Sequence, residues 1–174
     1  IYLEDQYGIK GEGRMRSPSP EELSQFLEDK KRLLDKVPVQ YVVGKAHFFG
    51  HFFEVSSATL IPRPETEELV ALAIKQIKKK LTYQGTIKIL DIGTGSGCIA
   101  ISIKKAIPEI AVFAVDINDT ALTIARRNSK ELRTDVEFKM LDFLDESNWP
   151  ELNKFDFLIS NPPYITRKEY ELLP

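Results

Sequence analysis

The sequence predicts an α/β fold whose core is a doubly wound sheet of parallel strands, preceded by a β-hairpin and a helical segment. From residue 87 onward, apolar runs of strand length alternate with patterns of helical periodicity. The stretch at 87–99, IKILDIGTGSGCI, is an apolar strand that runs into a glycine-rich turn and then opens a helix. The motif Asn161-Pro162-Pro163-Tyr164 follows a later apolar strand. Because the carboxyl ends of parallel strands converge at one edge, both motifs are expected in the same crevice.

Length and charge limit the classes of protein that fit. A chain of 174 residues is long enough for one domain with a sizeable core, or for one domain and part of another. The chain has 24 Lys and Arg against 26 Asp and Glu, so it has no global excess of positive charge to hold a phosphate backbone. The chain begins without an initiator Met and stops at Pro174, soon after the second motif, which favours a segment of a larger protein.

The single cysteine and the short apolar runs indicate in which cellular compartment the protein is expected. Cys98 has no partner for an internal disulfide and fits a reducing environment. The apolar runs are strand-sized, far below the roughly 20 residues that span a bilayer, and no signal-peptide pattern opens the chain. We therefore expect a soluble protein of the cytoplasm or of an organelle, with no membrane partner.

The first part of the chain predicts a helix and then a hairpin. Residues 1–18 suggest a loop or linker, and Ser19-Pro20-Glu21-Glu22 forms a capping box that starts a helix. One helix face is expected to dock on a neighbouring domain through Leu23, Phe26, Leu27, Leu34 and Val37. Short strands are expected at 41–43 and 47–55, with a hairpin turn at Gly50. His47 and His51 lack Cys or carboxylate partners at ligand spacing, so no metal site is predicted.

The segment LIPRPETEE at 60–68 predicts the start of the next helix, because its prolines hold the entry rigid and its glutamates favour a helix N-terminus. That helix is expected to bury a stripe formed by Leu69, Leu72, Ala73, Ile77 and Leu81. The alternating elements that follow are strands at 87–91, 111–116, 136–141 and 155–160, and helices at 96–107 and 119–132. The expected strand order, 3-2-1-4, leaves the last strand as an exposed apolar edge.

The glycine-rich turn is expected to bind a nucleotide-like ligand. Gly93, Gly95 and Gly97 let the backbone turn sharply and approach a ligand closely. Asp116 ends the second strand, where an acidic side chain accepts hydrogen bonds from ribose hydroxyls; capping the next turn is the alternative role. The third glycine comes one place too early for the dinucleotide fingerprint, and Cys98 takes its position. No Gly-Lys-Ser/Thr follows, so a phosphate-binding P-loop is excluded.

The pattern Asp91-x-Gly93-x-Gly95-x-Gly97 resembles the cofactor loop of class I S-adenosylmethionine-dependent methyltransferases. That resemblance implies a Rossmann-like sheet and S-adenosyl-L-methionine as cofactor, held by Asp91, Gly93, Thr94, Gly95, Ser96, Gly97 and also Asn161. It also implies that Asp116 binds the ribose, that Asp142 accepts from the adenine amino group and that Phe143 forms an apolar wall. Packing in the core is the alternative role of Phe143.

The motif at 161–164 carries acceptors that suit a planar amino group. Its prolines remove backbone donors, and Asn161 adds a neutral side-chain acceptor. The Asn161 side chain and the Pro162 carbonyl are expected to hold the two hydrogens of an NH2 group, with Tyr164 as a flat wall. Methyl transfer to such a nitrogen requires no general base beforehand, and the motif contains no Asp, Glu or His. An ordinary tight turn is the alternative interpretation.

Four separated segments resemble one family in the same order: the hairpin, TLIPRPETE at 59–67, DIGTGSG at 91–97 and NPPY. Over residues 37–168 the chain resembles the peptide chain release factor glutamine methyltransferases of the HemK type. The implied substrate is the glutamine of the Gly-Gly-Gln loop of release factors, contacted by Arg63, Asn161, Pro162, Pro163 and Tyr164. The residues leave open two alternatives, an adenine methyltransferase acting on DNA or RNA and a truncated cofactor-binding module without activity.

The resemblance also divides the chain into three parts. Residues 1–36 are expected to be the tail of a helical N-terminal domain that recognises substrate, residues 37–58 a hairpin linker, and residues 59–174 a partial cofactor-binding domain. Members of the family continue for several strands beyond the one that carries NPPY. Residues 1–174 alone are therefore expected to be inactive or weakly active.

Overall fold

The computed structural model describes residues 19–83, 85–152 and 154–162 of the chain. The predictions for residues 1–18, for Pro163 and for Tyr164 lie outside these ranges. Within them the chain forms a two-stranded hairpin, a separate four-stranded sheet and several helices. In the same ranges no helix is both long enough and apolar enough to cross a membrane.

The first described helix, α1 (Pro20–Leu34), begins with the predicted capping box. The Ser19 hydroxyl accepts a hydrogen bond from the Glu22 amide at 3.2 Å, and the Glu22 carboxylate accepts one from the Ser19 amide at 2.8 Å. The apolar side chains of this helix are largely exposed, with Leu27 at 55% and Leu34 at 73%. Docking of this face on another domain therefore stays a prediction.

The predicted strand at 41–43 is wrong, because Val39–Val43 forms a one-turn helix, α2. The Pro38 carbonyl accepts from the amides of Tyr41 and Val42, and Gly44 ends the turn at a left-handed φ of 73°. The hairpin itself is confirmed, with β1 (Lys45–Phe48) and β2 (His51–Glu54) antiparallel around Gly50. A short run of β-branched residues is compatible with either a strand or a helical turn. Here Pro38 and Gly44, at the two ends of the run, favour the helical turn.

The main sheet confirms the predicted topology. Its strands are β3 (Lys88–Ile92), β4 (Ala111–Asp116), β5 (Glu137–Met140) and β6 (Phe157–Ser160), all parallel. They lie in the order β5-β4-β3-β6, which is the expected 3-2-1-4. Strand β3 is therefore central, and β6 lies at an edge of the described sheet, where its Leu158 is 61% exposed.

Two groups of apolar side chains pack on the two faces of the sheet. Helices α3 (Pro64–Leu81) and α4 (Cys98–Ala106) and the hairpin contribute to the larger core, and the remaining long helix is α5 (Asp119–Glu131). The fully buried members of the larger core include Phe48, Phe53, Ile77, Ile89 and Ile101. The smaller group, Leu90, Val115 and Leu141, lies on the other face, because neighbouring strand residues point in opposite directions.

Two helices differ in detail from the prediction. In α3, Leu72 is 56% exposed rather than buried, and Val70 is fully buried in its place. Ile77 of the predicted stripe is fully buried, and Leu69, Ala73 and Leu81 pack partly buried against the core, so only Leu72 of that stripe is wrong. Helix α4 begins at Cys98 instead of residue 96, because Ser96 and Gly97 complete the preceding turn.

Candidate functional site at the carboxyl ends of the strands

The glycine-rich loop leaves the central strand β3 and folds onto the neighbouring strand. The amides of Gly93 and Thr94 both donate to the Val115 carbonyl, at 2.9 and 3.0 Å. Gly93 and Gly95 have left-handed φ values of 70° and 56°, and a Cβ at either position would meet no described atom within 4 Å. The backbone conformation therefore requires these glycines, and the space above them is open to a ligand.

Gly97 has a different role from the other two glycines. A Cβ at this position would lie 2.9 Å from Ile101 Cδ1 and 3.2 Å from Ala125 Cβ, and φ is 80°. The position therefore allows α4 to pack closely against α5. The predicted contact between Gly97 and the cofactor is not needed to explain this glycine.

We expect Gly97→Ala to lower the free energy of unfolding by about 1–3 kcal/mol, because the added methyl group overpacks the contact between α4 and α5. Gly50→Ala is the matched control, since Gly50 has a similar left-handed φ of 79° but its Cβ would meet no described atom within 4 Å. Urea unfolding of the full-length protein measures both variants. Equal unfolding free energies for the two variants would contradict the packing role.

Asp91 and Thr94 stabilise the loop through buried hydrogen bonds. Asp91 is fully buried, and its Oδ2 accepts from the Thr94 hydroxyl at 2.7 Å and from the Ala100 amide at 3.2 Å. Its Oδ1 has no hydrogen-bond partner among the described residues. Burial raises the pKa of Asp91 to about 6, and the nearby negative charge of Asp116 adds to the shift. Thr94 is itself buried, so its hydroxyl supports the loop through Asp91.

Asp116 meets the loop from the end of β4, as the strand order predicted. Its Oδ2 accepts from the Gly95 amide at 2.8 Å, and its Oδ1 accepts from the Asn118 amide at 2.9 Å. The second bond is the turn cap that the alternative interpretation expected. Since each carboxylate oxygen has two lone pairs, the two bonds leave acceptor capacity for hydroxyl groups.

A cavity of about 280 Å³ lies beyond the ends of β4 and β5. Its lining includes apolar and polar side chains: Ile117, Met140, Leu141, Asp142, Asn148 and Glu151. Asp142, in the turn after β5, lines this cavity, and its Oδ1 accepts from the Leu144 amide at 2.9 Å, while its predicted role beside an adenine stays a prediction. Ile117 and Met140, both more than half exposed, form the apolar part of the lining together with Leu141, and their role was not predicted from the sequence.

Phe143 does not line this cavity, in contrast to the predicted apolar wall. Its ring packs on Trp149 with centroids 5.7 Å apart, and its carbonyl accepts from the Trp149 indole N–H at 3.0 Å. It also contacts the smaller apolar group on the sheet. The alternative role, packing in the core, describes Phe143 better.

Asn161 lies just beyond β6, at the same edge as the glycine-rich loop. Its Nδ2 donates to the Thr66 hydroxyl of α3 at 2.9 Å. The Ser160 hydroxyl donates to the Ile92 carbonyl at 2.9 Å, which ties the ends of β6 and β3 together. Arg63 is exposed and precedes α3, and its carbonyl accepts from the Thr66 amide at 3.0 Å. The structure therefore brings the segment at 60–68 to the start of the motif at 161–164.

Asn128 of α5 connects the hairpin to the loop and was not predicted. Its Oδ1 accepts from the Glu54 amide at 2.7 Å. Its Nδ2 donates to the Glu54 carbonyl at 3.0 Å and to the Ser96 carbonyl at 2.9 Å. Ser96 is thus held through its backbone carbonyl by a buried hydrogen bond. An asparagine in a helix gives no local signal of such contacts.

Cys98 is not a nucleophile of the site. It is buried at the start of α4, and burial raises the pKa of its thiol to about 12, with the charge of Asp91 adding to the shift. A thiol with that pKa is protonated at neutral pH and reacts slowly.

Comparisons with known proteins agree with this geometry. The methyltransferase small domain family matches residues 70–173. The release factor glutamine methyltransferase of Flavobacterium psychrophilum is 46% identical over 139 residues, which cover 79% of this chain and 47% of that protein. The corresponding protein of Enterococcus faecalis is 42% identical over 153 residues, covering 88% and 52%. The chain thus spans about half the length of the curated relatives it matches.

One solved structure shows the likeness of fold. It is that of the tRNA (uracil-54, C5)-methyltransferase of Pyrococcus abyssi, in complex with S-adenosyl-L-homocysteine. Its TM-score is 0.50 at 22% identity, over 68% of this chain and 27% of that one. At this identity the match concerns the Rossmann-like sheet and not the substrate.

Proposed function

The chain belongs to the methyltransferase small domain family, and from this premise we propose that the whole protein methylates peptide chain release factors. The methyl group would pass from S-adenosyl-L-methionine to the side-chain amide nitrogen of the glutamine in the Gly-Gly-Gln motif. Relatives named release factor glutamine methyltransferase match at 38–46% identity, which supports this substrate. The observation that carries the proposal is the placement of Asn161 at the same sheet edge as the glycine-rich loop.

The residues of the loop fit S-adenosylmethionine. The cofactor supplies an electrophilic methyl group on a positively charged sulfur, and it carries an ammonium group. A buried carboxylate with one unpartnered oxygen, Asp91 Oδ1, provides negative charge behind the open side of the loop. Asp116 retains acceptor capacity for the ribose hydroxyls, and the cavity beside Ile117, Met140 and Asp142 suits the adenine. The loop, Asp116 and the cavity together therefore offer acceptors for the ammonium and ribose groups and apolar contacts for the adenine.

The substrate nitrogen is a weak nucleophile, because its lone pair is delocalised into the amide carbonyl. The side-chain oxygen of Asn161 and the carbonyl of Pro162 would accept its two hydrogens and fix its direction. Both acceptors bind more strongly as positive charge develops on nitrogen, so they stabilise the transition state more than the ground state. When bound, S-adenosylmethionine would supply an electrophilic methyl carbon. As the nitrogen lone pair bonds to that carbon, the carbon–sulfur bonding pair would stay on sulfur, and the nitrogen would release one proton to water.

A label-transfer experiment tests the proposed substrate. The full-length protein is incubated with radiolabelled S-adenosylmethionine and, separately, with a release factor, its Gln-to-Ala variant in the Gly-Gly-Gln motif, DNA and ribosomal RNA. We expect label on the wild-type factor and none on the variant. Label on a nucleic acid and not on the factor would instead establish an adenine methyltransferase and overturn the proposal.

The affinity for S-adenosylmethionine is expected to depend on pH through Asp91. Because the pKa of this buried carboxyl is raised to about 6, it is largely protonated below that pH and ionised above it. The ligand is cationic, so the ionised form binds it better. Affinity should therefore be full above about pH 7 and fall by up to about tenfold per pH unit below pH 6.

Calorimetric titration of the full-length protein between pH 5 and pH 8 measures this dependence. Asp91→Asn removes the titrating carboxyl at nearly constant shape, so its weaker affinity should be nearly independent of pH. A wild-type affinity that stays constant between pH 5 and pH 7 would contradict the role given to Asp91.

A further inference from the structure

The first turn of α3 lies against the start of the motif at 161–164. The Thr66 hydroxyl accepts from Asn161 Nδ2 at 2.9 Å, although the two residues are 95 positions apart in the chain. Thr66 is only 5% exposed, and the bond itself is partly buried. A hydrogen bond of this kind, between two side chains on different elements, fixes the position of both.

The turn that carries Thr66 is itself held in place. Helix α3 begins at Pro64, whose ring fixes φ for the helix. The neighbouring Glu67 carboxylate accepts from the Phe49 amide at the hairpin turn, at 2.9 Å. The Thr66 amide is bonded within the same turn to the Arg63 carbonyl. The hydroxyl therefore has a defined position, set by the hairpin as well as by the helix.

We propose that Thr66 is a positioning residue for methyl transfer, which acts by holding the plane and direction of the Asn161 amide. This inference rests on the proposed function. The nitrogen and oxygen of a primary amide lie on opposite sides of its carbon, so a donor bond from nitrogen to α3 directs the oxygen away from α3. The bond from Thr66 restricts rotation of the amide about χ2, and so increases the time that its acceptor oxygen spends in the direction that the substrate NH2 group requires.

The experiment compares three variants of the full-length protein with a release factor as substrate. Thr66→Val keeps the shape and removes the hydroxyl, and Thr66→Ser keeps the hydroxyl. Thr82→Val is the matched control at the other end of α3, where an exposed hydroxyl donates to the Lys78 carbonyl at 3.1 Å. For each variant the kcat, the KM for the factor, the Kd for S-adenosylmethionine and the melting temperature are measured.

We expect Thr66→Val to lower kcat by about tenfold to a hundredfold. The cofactor Kd should stay within about twofold, because the loop is untouched. Thr66→Ser should keep kcat within about threefold of the wild type, and Thr82→Val should match the wild type. This split between kcat and cofactor affinity is what positioning of Asn161 predicts.

Three results would overturn the inference. They are a wild-type kcat in Thr66→Val, an equal loss in Thr66→Ser and Thr66→Val, or a loss that only follows the unfolded fraction. A wild-type protein that methylates no release factor would instead refute the proposed function. The two failures are therefore distinguishable.

Discussion

Asn161→Ala is expected to lower methyl transfer by about 10²–10³-fold, because it removes one of two acceptors that act on the developing charge. The Kd for S-adenosylmethionine should change by less than tenfold, or about 1.4 kcal/mol. The distinction follows from the structure, in which Asn161 lies beyond β6 while the glycine-rich loop is held by Asp91, Asp116 and Val115.

Single-turnover rates with a release factor, together with calorimetric titration of the cofactor, measure both quantities on the full-length protein. Circular dichroism checks that the variant is folded. Turnover equal to that of the wild type would remove Asn161 from the mechanism. A loss of cofactor affinity as large as the loss of rate would assign Asn161 to the cofactor site instead.

Asn128→Ala is expected to have the largest effect on stability, lowering the free energy of unfolding by about 3 kcal/mol. The variant leaves the Glu54 amide, the Glu54 carbonyl and the Ser96 carbonyl without their side-chain partner. Asn128 is 2% exposed, so water does not replace these bonds without rearrangement. Each unsatisfied buried group costs about 1–3 kcal/mol, and partial relaxation reduces the total.

Asn118→Ala is the matched control, since Asn118 is an exposed asparagine at the start of the same helix. Its side chain caps the amides of Thr120 and Ala121, at 2.9 and 3.3 Å. Loss of such a cap costs about 1 kcal/mol. Urea unfolding of the full-length variants gives both values. A cost for Asn128→Ala no larger than for Asn118→Ala would show that the connection between hairpin and loop contributes little.

The parts of the fold that could be predicted are those that depend on residues close together in the sequence. Alternation of apolar strands and periodic helices gave the order of the parallel sheet, and this order placed Asp116 and Asn161 near the glycine-rich loop. The capping box at Ser19 and the hairpin turn at Gly50 depend on neighbouring residues, and both were found. The helix at Val39–Val43 was missed, because five residues are too few to show a period.

The missed features of the site depend on contacts between distant parts of the chain. Thr66 and Asn161 are separated by 95 positions, and Glu54 and Asn128 by 74. A single polar residue in a helix forms no sequence pattern from which such a long-range hydrogen bond could be predicted. Phe143 and Ile117 were difficult to predict for a related reason. Both are apolar and follow a strand end, but only the tertiary fold determines that Ile117 faces the cavity and that Phe143 packs against the core. The roles of Arg63, Pro163 and Tyr164 stay predictions.

The most direct test of the central claim is the position of the methyl group on the product. A release factor is incubated with the full-length protein and S-adenosylmethionine, digested, and analysed by tandem mass spectrometry. We expect one added methyl group on the side-chain amide nitrogen of the glutamine in the Gly-Gly-Gln motif. An unmodified glutamine after complete turnover of the cofactor, or a methyl group on another residue, would contradict the account.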